Sequence, residues 1–248
     1  MATLHLLGTG AAYTDPHRTT TMLGFHEHGS TILVDCGGDV IHRTLSAGLP
    51  VDSIDALIIT HQHPDHVSGF PLLIEKLWLA GRDRPLPIYG ISSALEQARA
   101  TFNTFDTSGW DGMPELQWNE VELEANASVL ENETWRITAS PGIHGVPVIG
   151  LRVESQFTGG SVAYSCDTEP APDIACLAHE ADILVHEANG EGDGHSSISQ
   201  AAEVAAKAQA RRLLLVHLPP GEKMPEVLAA RENFRATDLG DEEGAYHF

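Results

Sequence analysis

Apolar and polar positions along this chain switch repeatedly between a period of two and a period near 3.6, which predicts strands and helices in alternation. Thr3 to Leu7 reads as a first strand, followed by Gly8-Thr9-Gly10-Ala11-Ala12, where two glycines in three residues permit a sharp turn. Thr20 to Phe25 and Ser30 to Val34 are strand-like and separated by Glu27-His28-Gly29, a hairpin signal. A helix is expected over Val40 to Ala47. Leu57-Ile58-Ile59-Thr60 is apolar and β-branched, the signature of a buried strand. Val67 to Leu79 carries Phe70, Leu73 and Leu77 at helical spacing and ends at Gly81. A strand follows over Leu86 to Ile91, then an amphipathic helix over Ser92 to Phe105 with Ser92 as its N-cap.

In the second half, Trp118 to Leu123, Ser128 to Leu130 and Trp135 to Ser140 read as short strands. Val146 to Glu154 and Ser161 to Ser165 read as a hairpin around Thr158-Gly159-Gly160. Ile183-Leu184-Val185 is a buried strand, Ser196 to Ala208 an Ala-rich helix, Leu213 to Val216 the last long strand, and Glu226 to Phe234 a helix. The acidic tail Asp238 to Glu243 reads as solvated. Thr107 to Pro114 is a loop, in which Trp110 and Met113 either line a substrate mouth or fill the core.

Composition narrows the class. A chain of 248 residues suits one domain, residues 1–248, with two packed sheets. A hydrophobic content of 42% fits a globular protein, and no apolar run approaches the ~18 residues of a membrane span. The first eight residues lack a basic leader and read as a strand. Three widely spaced cysteines (Cys36, Cys166, Cys176) without a CxxC point to a reduced, cytoplasmic protein. The net charge of −21, with 14 basic residues against 35 acidic ones, disfavours a nucleic-acid partner, because such partners are held by Lys and Arg on phosphates. Lysine is confined to Lys76, Lys207 and Lys223, and an acidic, Lys-poor surface also suits a high-salt cytoplasm.

The candidate chemistry sits in Thr60-His61-Gln62-His63-Pro64-Asp65-His66. Three imidazoles and a carboxylate within six residues are the donor types a Zn²⁺-like ion takes. The preceding apolar strand and Pro64, which stops regular pairing, place them on a tight loop at a strand end. One such loop can serve two ions. His144 lies between glycines after a predicted strand, where it can point into a cleft, although such a residue taken alone is more often a surface-loop histidine.

His61-Gln62-His63-Pro64-Asp65-His66 resembles the HxHxDH signature of the metallo-β-lactamase superfamily. The resemblance implies an α/β fold, an αββα sandwich of two mixed β-sheets flanked by helices, with a two-metal site between the sheets. It implies that His61, His63 and His144 hold one divalent ion, that Asp65, His66 and His217 hold the other, and that Asp167 bridges them. Zinc is the first candidate metal, with manganese and iron also suited to these donors. Two such ions about 3.5 Å apart share a bridging hydroxide and stabilise charge on the attacked centre; Asp65 also orients that hydroxide. Asp35-Cys36-Gly37-Gly38 matches the superfamily too. There Asp35 orients a histidine ligand without touching metal, and it is equally placed to cap the helix from Val40. Cys166, beside Asp167, reads as a small buried residue and not a ligand.

Gly8 to Arg18 resembles the opening of ribonuclease Z, and His186-Glu187-Ala188 with His195-Ser196-Ser197 resembles its HEAT and HST motifs. That resemblance implies that Glu187 and His195 donate a proton near the leaving group, which an alkoxide leaving from a phosphodiester needs. Departures are specific. Only 22 residues separate His144 from Asp167, leaving no room for the tRNA-clamping arm of ribonuclease Z, and the segment after His217 reads Leu218-Pro219-Pro220-Gly221 without that family's Arg and Tyr. The resulting expectation is a dinuclear metal-dependent hydrolase, a phosphodiesterase on a small or short substrate. The alternatives are tRNA 3′-processing endonuclease, or hydrolysis of a lactone, ester or sulfate ester on the same metals. Relatives of this kind often form homodimers; no membrane partner is expected.

Overall fold

The computed structural model describes residues 1–248. Two seven-stranded sheets face each other. The first contains β1 (Thr3–Gly8), β2 (Met22–Glu27), β3 (Ser30–Val34), β4 (Ile54–Ile59), β5 (Leu86–Gly90) and β6 (Leu116–Glu120), in that spatial order. The second contains β7 (Ala127–Glu131), β8 (Trp135–Pro141), β9 (Ile149–Ser155), β10 (Ser161–Tyr164), β11 (Ile183–Glu187), β12 (Leu213–Val216) and β13 (Thr237–Leu239), also in order. The chain then returns to the first sheet, where β14 (Ala245–His247) pairs antiparallel with β1. Both sheets are mixed: β3 to β6 and β10 to β13 run parallel to their neighbours, and the remaining pairs are antiparallel.

Helices α1 (Val40–Ser46), α3 (Phe70–Leu79) and α4 (Ser92–Phe102) cover the first sheet; α5 (Pro172–Leu177), α6 (Ile198–Ala208) and α7 (Met224–Ala230) cover the second. This is the αββα sandwich that the resemblance implied. Strand periodicity assigns the faces. Val162, Tyr164, Ile183, Val185, Leu214 and Val216 join the large core that includes the first sheet, while the alternate residues Ala163, Leu184, Leu213 and Leu215 pack against the small side chains of α6, Ala201, Ala202, Ala205 and Ala208. Trp135 is fully buried, and its indole N–H donates to Ser30 Oγ at 3.0 Å, tying β8 to β3 across the sandwich.

Several expectations need correction. Pro64 does not leave an irregular loop; it opens a one-turn helix, α2 (Pro64–Val67), where a missing N–H costs nothing. Helix α3 then starts afresh at Phe70, so the helix expected from Val67 is broken at Ser68-Gly69. Ser92 does not cap α4. Ile91 occupies the cap position without a side-chain bond, and the helix ends at Phe102. Helix α6 begins at Ile198 behind a capping box of Ser197 and Gln200. Asp35 does not cap α1; Asp39 does, through the N–H of His42 at 3.1 Å. Trp110 stacks on Trp78 at 5.0 Å and, with Met113, packs half-buried against the core, which fits the filling role of the two expected. The tail is not simply solvated: Asp238 lies in β13 and pairs with Arg212 and Arg231, and Glu242 is largely buried against Arg43.

Candidate metal centre

The strands that run parallel in each sheet end at the same edge of the sandwich, and the candidate residues follow those ends. This is where ligands bind in α/β sheets, because loops from several strands converge there. His61 follows β4, Asp35 follows β3, His144 follows β8, Asp167 follows β10, Glu187 ends β11 and His217 follows β12. Asp35, Cys166 and His217 each hold a left-handed backbone, with φ of 60°, 52° and 53°. Non-glycine residues take that conformation at a cost, and three of them turning at equivalent strand ends aim side chains into one space.

Two groups of donors result. His61, His63, His144 and Asp167 place one donor atom each within 4.8 Å of one another, and so do Asp65, His66, Asp167 and His217. Asp167 belongs to both. Its Oδ2 lies 3.5 Å from His66 Nε2, 3.9 Å from His61 Nε2 and 4.0 Å from His144 Nε2; its Oδ1 lies 3.2 Å from His217 Nδ1. Asp65 Oδ2 lies 3.5 Å from His66 Nε2. All seven residues singled out from the sequence are therefore gathered in one place.

Four of the donor atoms have no partners of their own, whereas His144 Nε2 and His63 Nδ1 lie 3.1 Å apart. His61 Nε2, His66 Nε2, His217 Nδ1 and Asp167 Oδ1 are buried and make no hydrogen bond. Buried polar atoms normally find a partner, so four orphans spread over the two donor groups fit bound cations. Charge tells the same story. Burial opposes a proton on His66, yet the Asp167 and Asp35 carboxylates overcome it and hold this imidazole well above its ordinary value. Burial also opposes charge on Asp167, and His217 and His66 still hold it well below the usual carboxylate range. Burial and the charge of His66 push His61 down. Asp167 thus calls for positive charge beside it, which a divalent ion would supply.

Surrounding groups fix the ligands. Asp35 is fully buried; its Oδ2 accepts from His66 Nδ1 at 2.8 Å and its Oδ1 from the Thr60 N–H at 2.8 Å. That bond presents His66 Nε2 to the centre, the orienting role expected of Asp35. Gly37 packs against the backbone of α2 so closely that a Cβ there would lie 1.7 Å from the Asp65 carbonyl oxygen. The Cys36 N–H donates to the His66 carbonyl at 2.8 Å, which completes the clamp on α2. His144 Nδ1 is 2.8 Å from the Gly194 carbonyl, and a Cβ on Gly194 would meet that ring at 2.7 Å. Cys166 Sγ donates to Thr60 Oγ1 at 3.0 Å, and burial pushes its thiol well up, so it stays a neutral thiol.

Glu187 and His195 stand beside the donor groups. The His195 ring is 4.9 Å from His144 and stacks on His217 at 5.5 Å. Its Nδ1 is 2.9 Å from Glu187 Oε1, which also accepts from the N–H groups of Thr168 at 3.0 Å and Ser196 at 3.1 Å; Oε2 accepts from the Asn189 N–H at 2.8 Å. Glu187 is fully buried, and burial pushes its carboxyl up to about 7. Burial disfavours a charged His195, but the hydrogen bond and charge of Glu187 outweigh it and raise this imidazole above its ordinary value. Sequence reasoning gave no role to Thr60 or Ser196, although both lie inside motifs quoted for their neighbours; their parts here are to bond Asp35 and Glu187.

Comparison with known proteins gives a consistent answer. A family model described as a Beta-lactamase superfamily domain matches residues 30–218. Ribonuclease Z of Mycolicibacterium paratuberculosis is 30% identical, covering 98% of this chain and 96% of that protein. Ribonuclease Z of Methanothermobacter thermautotrophicus is 28% identical over 98% of this chain and 95% of its own. Its alignment runs to 299 positions against 248 residues here, so that relative carries extra segments. Among solved structures, the metallo-beta-lactamase fold protein YhfI of Bacillus subtilis superposes with a TM-score of 0.82 at 22% identity, over 99% of this chain and 98% of that one. Human tRNase Z, short form, gives 0.80 at 23%, over 99% and 98%. No helix is long and apolar enough to cross a membrane. The chain belongs to the metallo-β-lactamase superfamily of metal-dependent hydrolases, with ribonuclease Z proteins as relatives along nearly its whole length.

Proposed function

We propose that this hydrolase cleaves phosphodiesters of small or short substrates at a centre holding two divalent ions. His61, His63, His144 and Asp167 would hold one ion and Asp65, His66, His217 and Asp167 the other; zinc is the first candidate. Bound there, the ions would activate a water and neutralise charge on the phosphoryl group. The observation that carries the reading is the Glu187–His195 pair at the edge of the donor groups. With Nδ1 committed to Glu187, His195 presents Nε2 to the cleft. The raised imidazole holds a proton there and delivers it to the departing oxygen. Glu187 keeps the ring in one orientation and balances its charge. Asp65, a member of the second donor group, would also accept a hydrogen bond from the attacking water.

Charge supports a short substrate. Nine Arg and Lys side chains are ion-paired, Arg82 is spent on backbone carbonyls, and Arg99 lies over Trp118. Lys207, Lys223 and Arg235 are left to meet phosphates, too few for a long polyanion. The second reading is tRNA 3′-processing, favoured by the names of the relatives. Zinc-loaded protein should hydrolyse a dinucleotide or cyclic nucleotide faster, per kcat/KM, than it trims a tRNA precursor carrying a 3′ trailer. The reverse order would establish the second reading. Turnover of lactones or esters alone would reject both.

A further inference from the structure

The chain crosses from the second sheet to the first between β13 and β14, and the side chain midway across is Glu242. It is a carboxylate with only 11% exposure, gathered in by four donors from three distant segments. Oε1 accepts from the Thr9 N–H at 2.8 Å, the Thr9 hydroxyl at 3.2 Å and the Thr19 N–H at 3.1 Å; Oε2 accepts from Arg43 at 2.7 Å. It thereby pins both ends of the loop from Thr9 to Thr19. That loop in turn grips the segment carrying His217. The Thr9 carbonyl accepts from the Leu218 N–H at 3.0 Å, and the Leu218 carbonyl accepts from the Ala11 N–H at 3.1 Å and the Thr14 hydroxyl at 2.8 Å. The Thr21 hydroxyl donates to the Gly10 carbonyl at 3.0 Å and accepts from the His217 N–H at 3.1 Å.

We infer that Glu242 is a positioning residue for His217: through the Thr9–Thr21 loop it holds this histidine in the turned conformation that brings its ring to Asp65, His66 and Asp167. The left-handed backbone of His217 is costly unless its neighbours fix it; the preceding Val216 carbonyl accepts from the Ala188 N–H at 2.9 Å, while the His217 N–H and the Leu218 N–H and carbonyl are all bonded by this loop. A charged acceptor shared by two N–H groups and a guanidinium is the strongest anchor the loop has. No other acidic side chain bonds its ends. Loosening Glu242 frees His217 alone, because His61, His63, His66 and His144 are held by separate elements.

The inference rests on His217 being a metal ligand, and the test separates the two. Zn²⁺ binding to the full chain is titrated against a competing chelator, giving the affinity of each ion. E242A is expected to weaken one of the two ions by about tenfold or more and leave the other unchanged. E242Q, which keeps a carbonyl oxygen for Thr9 and Thr19, should recover most of that loss. T21V removes the acceptor of the His217 N–H at constant volume, should weaken the same ion, and carries the test if E242A does not fold. H217A should lose that ion, and adding E242A to it should cost nothing further. A purely structural Glu242 would lower the melting temperature with both affinities intact. Wild-type affinities in E242A and T21V beside a lost ion in H217A would overturn the inference alone. Two intact ions in H217A would overturn it together with the ligand reading.

Discussion

Removing the His195 ring should cost an amount set by the leaving group. A dinucleotide releases an alkoxide, which departs poorly without a proton, whereas bis-p-nitrophenyl phosphate releases a nitrophenoxide that needs none. A placed general acid contributes about 10²–10⁴-fold, so H195A should lose that factor in kcat on a dinucleotide and less than about tenfold on the nitrophenyl ester. Glu187→Gln gives a finer reading. A glutamine oxygen can still accept the His195 Nδ1 proton, but the negative charge is gone, and its amide must face the Asn189 N–H or the three donors now on Oε1. A hydrogen bond to a charged group is worth about 1.5–3 kcal/mol against about 1 for a neutral one, so the imidazolium loses about 0.5–2 kcal/mol, centred near one pKa unit. The acid form of His195 is the active one. Activity therefore falls as pH rises through its pKa, which Glu187 holds above the ordinary imidazole value. In E187Q that fall should move about one unit to lower pH. Steady-state profiles of kcat/KM from pH 5 to 9 on both substrates would show it. Equal losses on both substrates, or an unmoved alkaline limb in E187Q, would refute the assignment of His195 as proton donor.

Three further outcomes follow from the geometry. Asp35→Asn should weaken metal binding by about 10–100-fold, measured by competition with a chelator, because the carboxylate that orients His66 becomes an amide. Gly37→Ala should lower the melting temperature and reduce the metal content of purified protein together, since its Cβ would displace the Asp65 backbone; an unchanged metal content would show that α2 tolerates the shift. RNA binding followed by fluorescence anisotropy should be weak at 0.15 M salt and show a shallow salt dependence, because few basic side chains are unpaired; a slope corresponding to six or more phosphates would contradict this.

Much of the site was legible because metal chemistry concentrates rare residue types at strand ends. His61, His63, Asp65 and His66 stand out by spacing alone; His144, Asp167 and His217 were legible only through the resemblance to the metallo-β-lactamase superfamily, and the fold returns them to the first four. What was not legible depends on partners distant in sequence. β13 and β14 have three residues each, too short for alternation to show, and exist because β12 and β1 offer them unpaired edges. Glu242 looks like one more acid in a solvated tail, and only the folding of Thr9, Thr19 and Arg43 around it gives it a place. Ser92 resembles a good N-cap, but the chain turns into α4 one residue earlier, at Ile91. Pro64 carries two compatible readings, strand breaker and first helical residue, and packing of Gly37 on the following backbone favours the second.

Whether the gathered histidines and aspartates form a metal centre that breaks phosphodiesters is tested by measuring metal content and dinucleotide hydrolysis on one preparation, as zinc is titrated into stripped protein. Turnover should rise with zinc to a plateau at two ions per chain and be abolished when His61 and His63 are replaced by alanine. Full loading with no phosphodiester turnover, or turnover that persists in stripped protein, would contradict that reading.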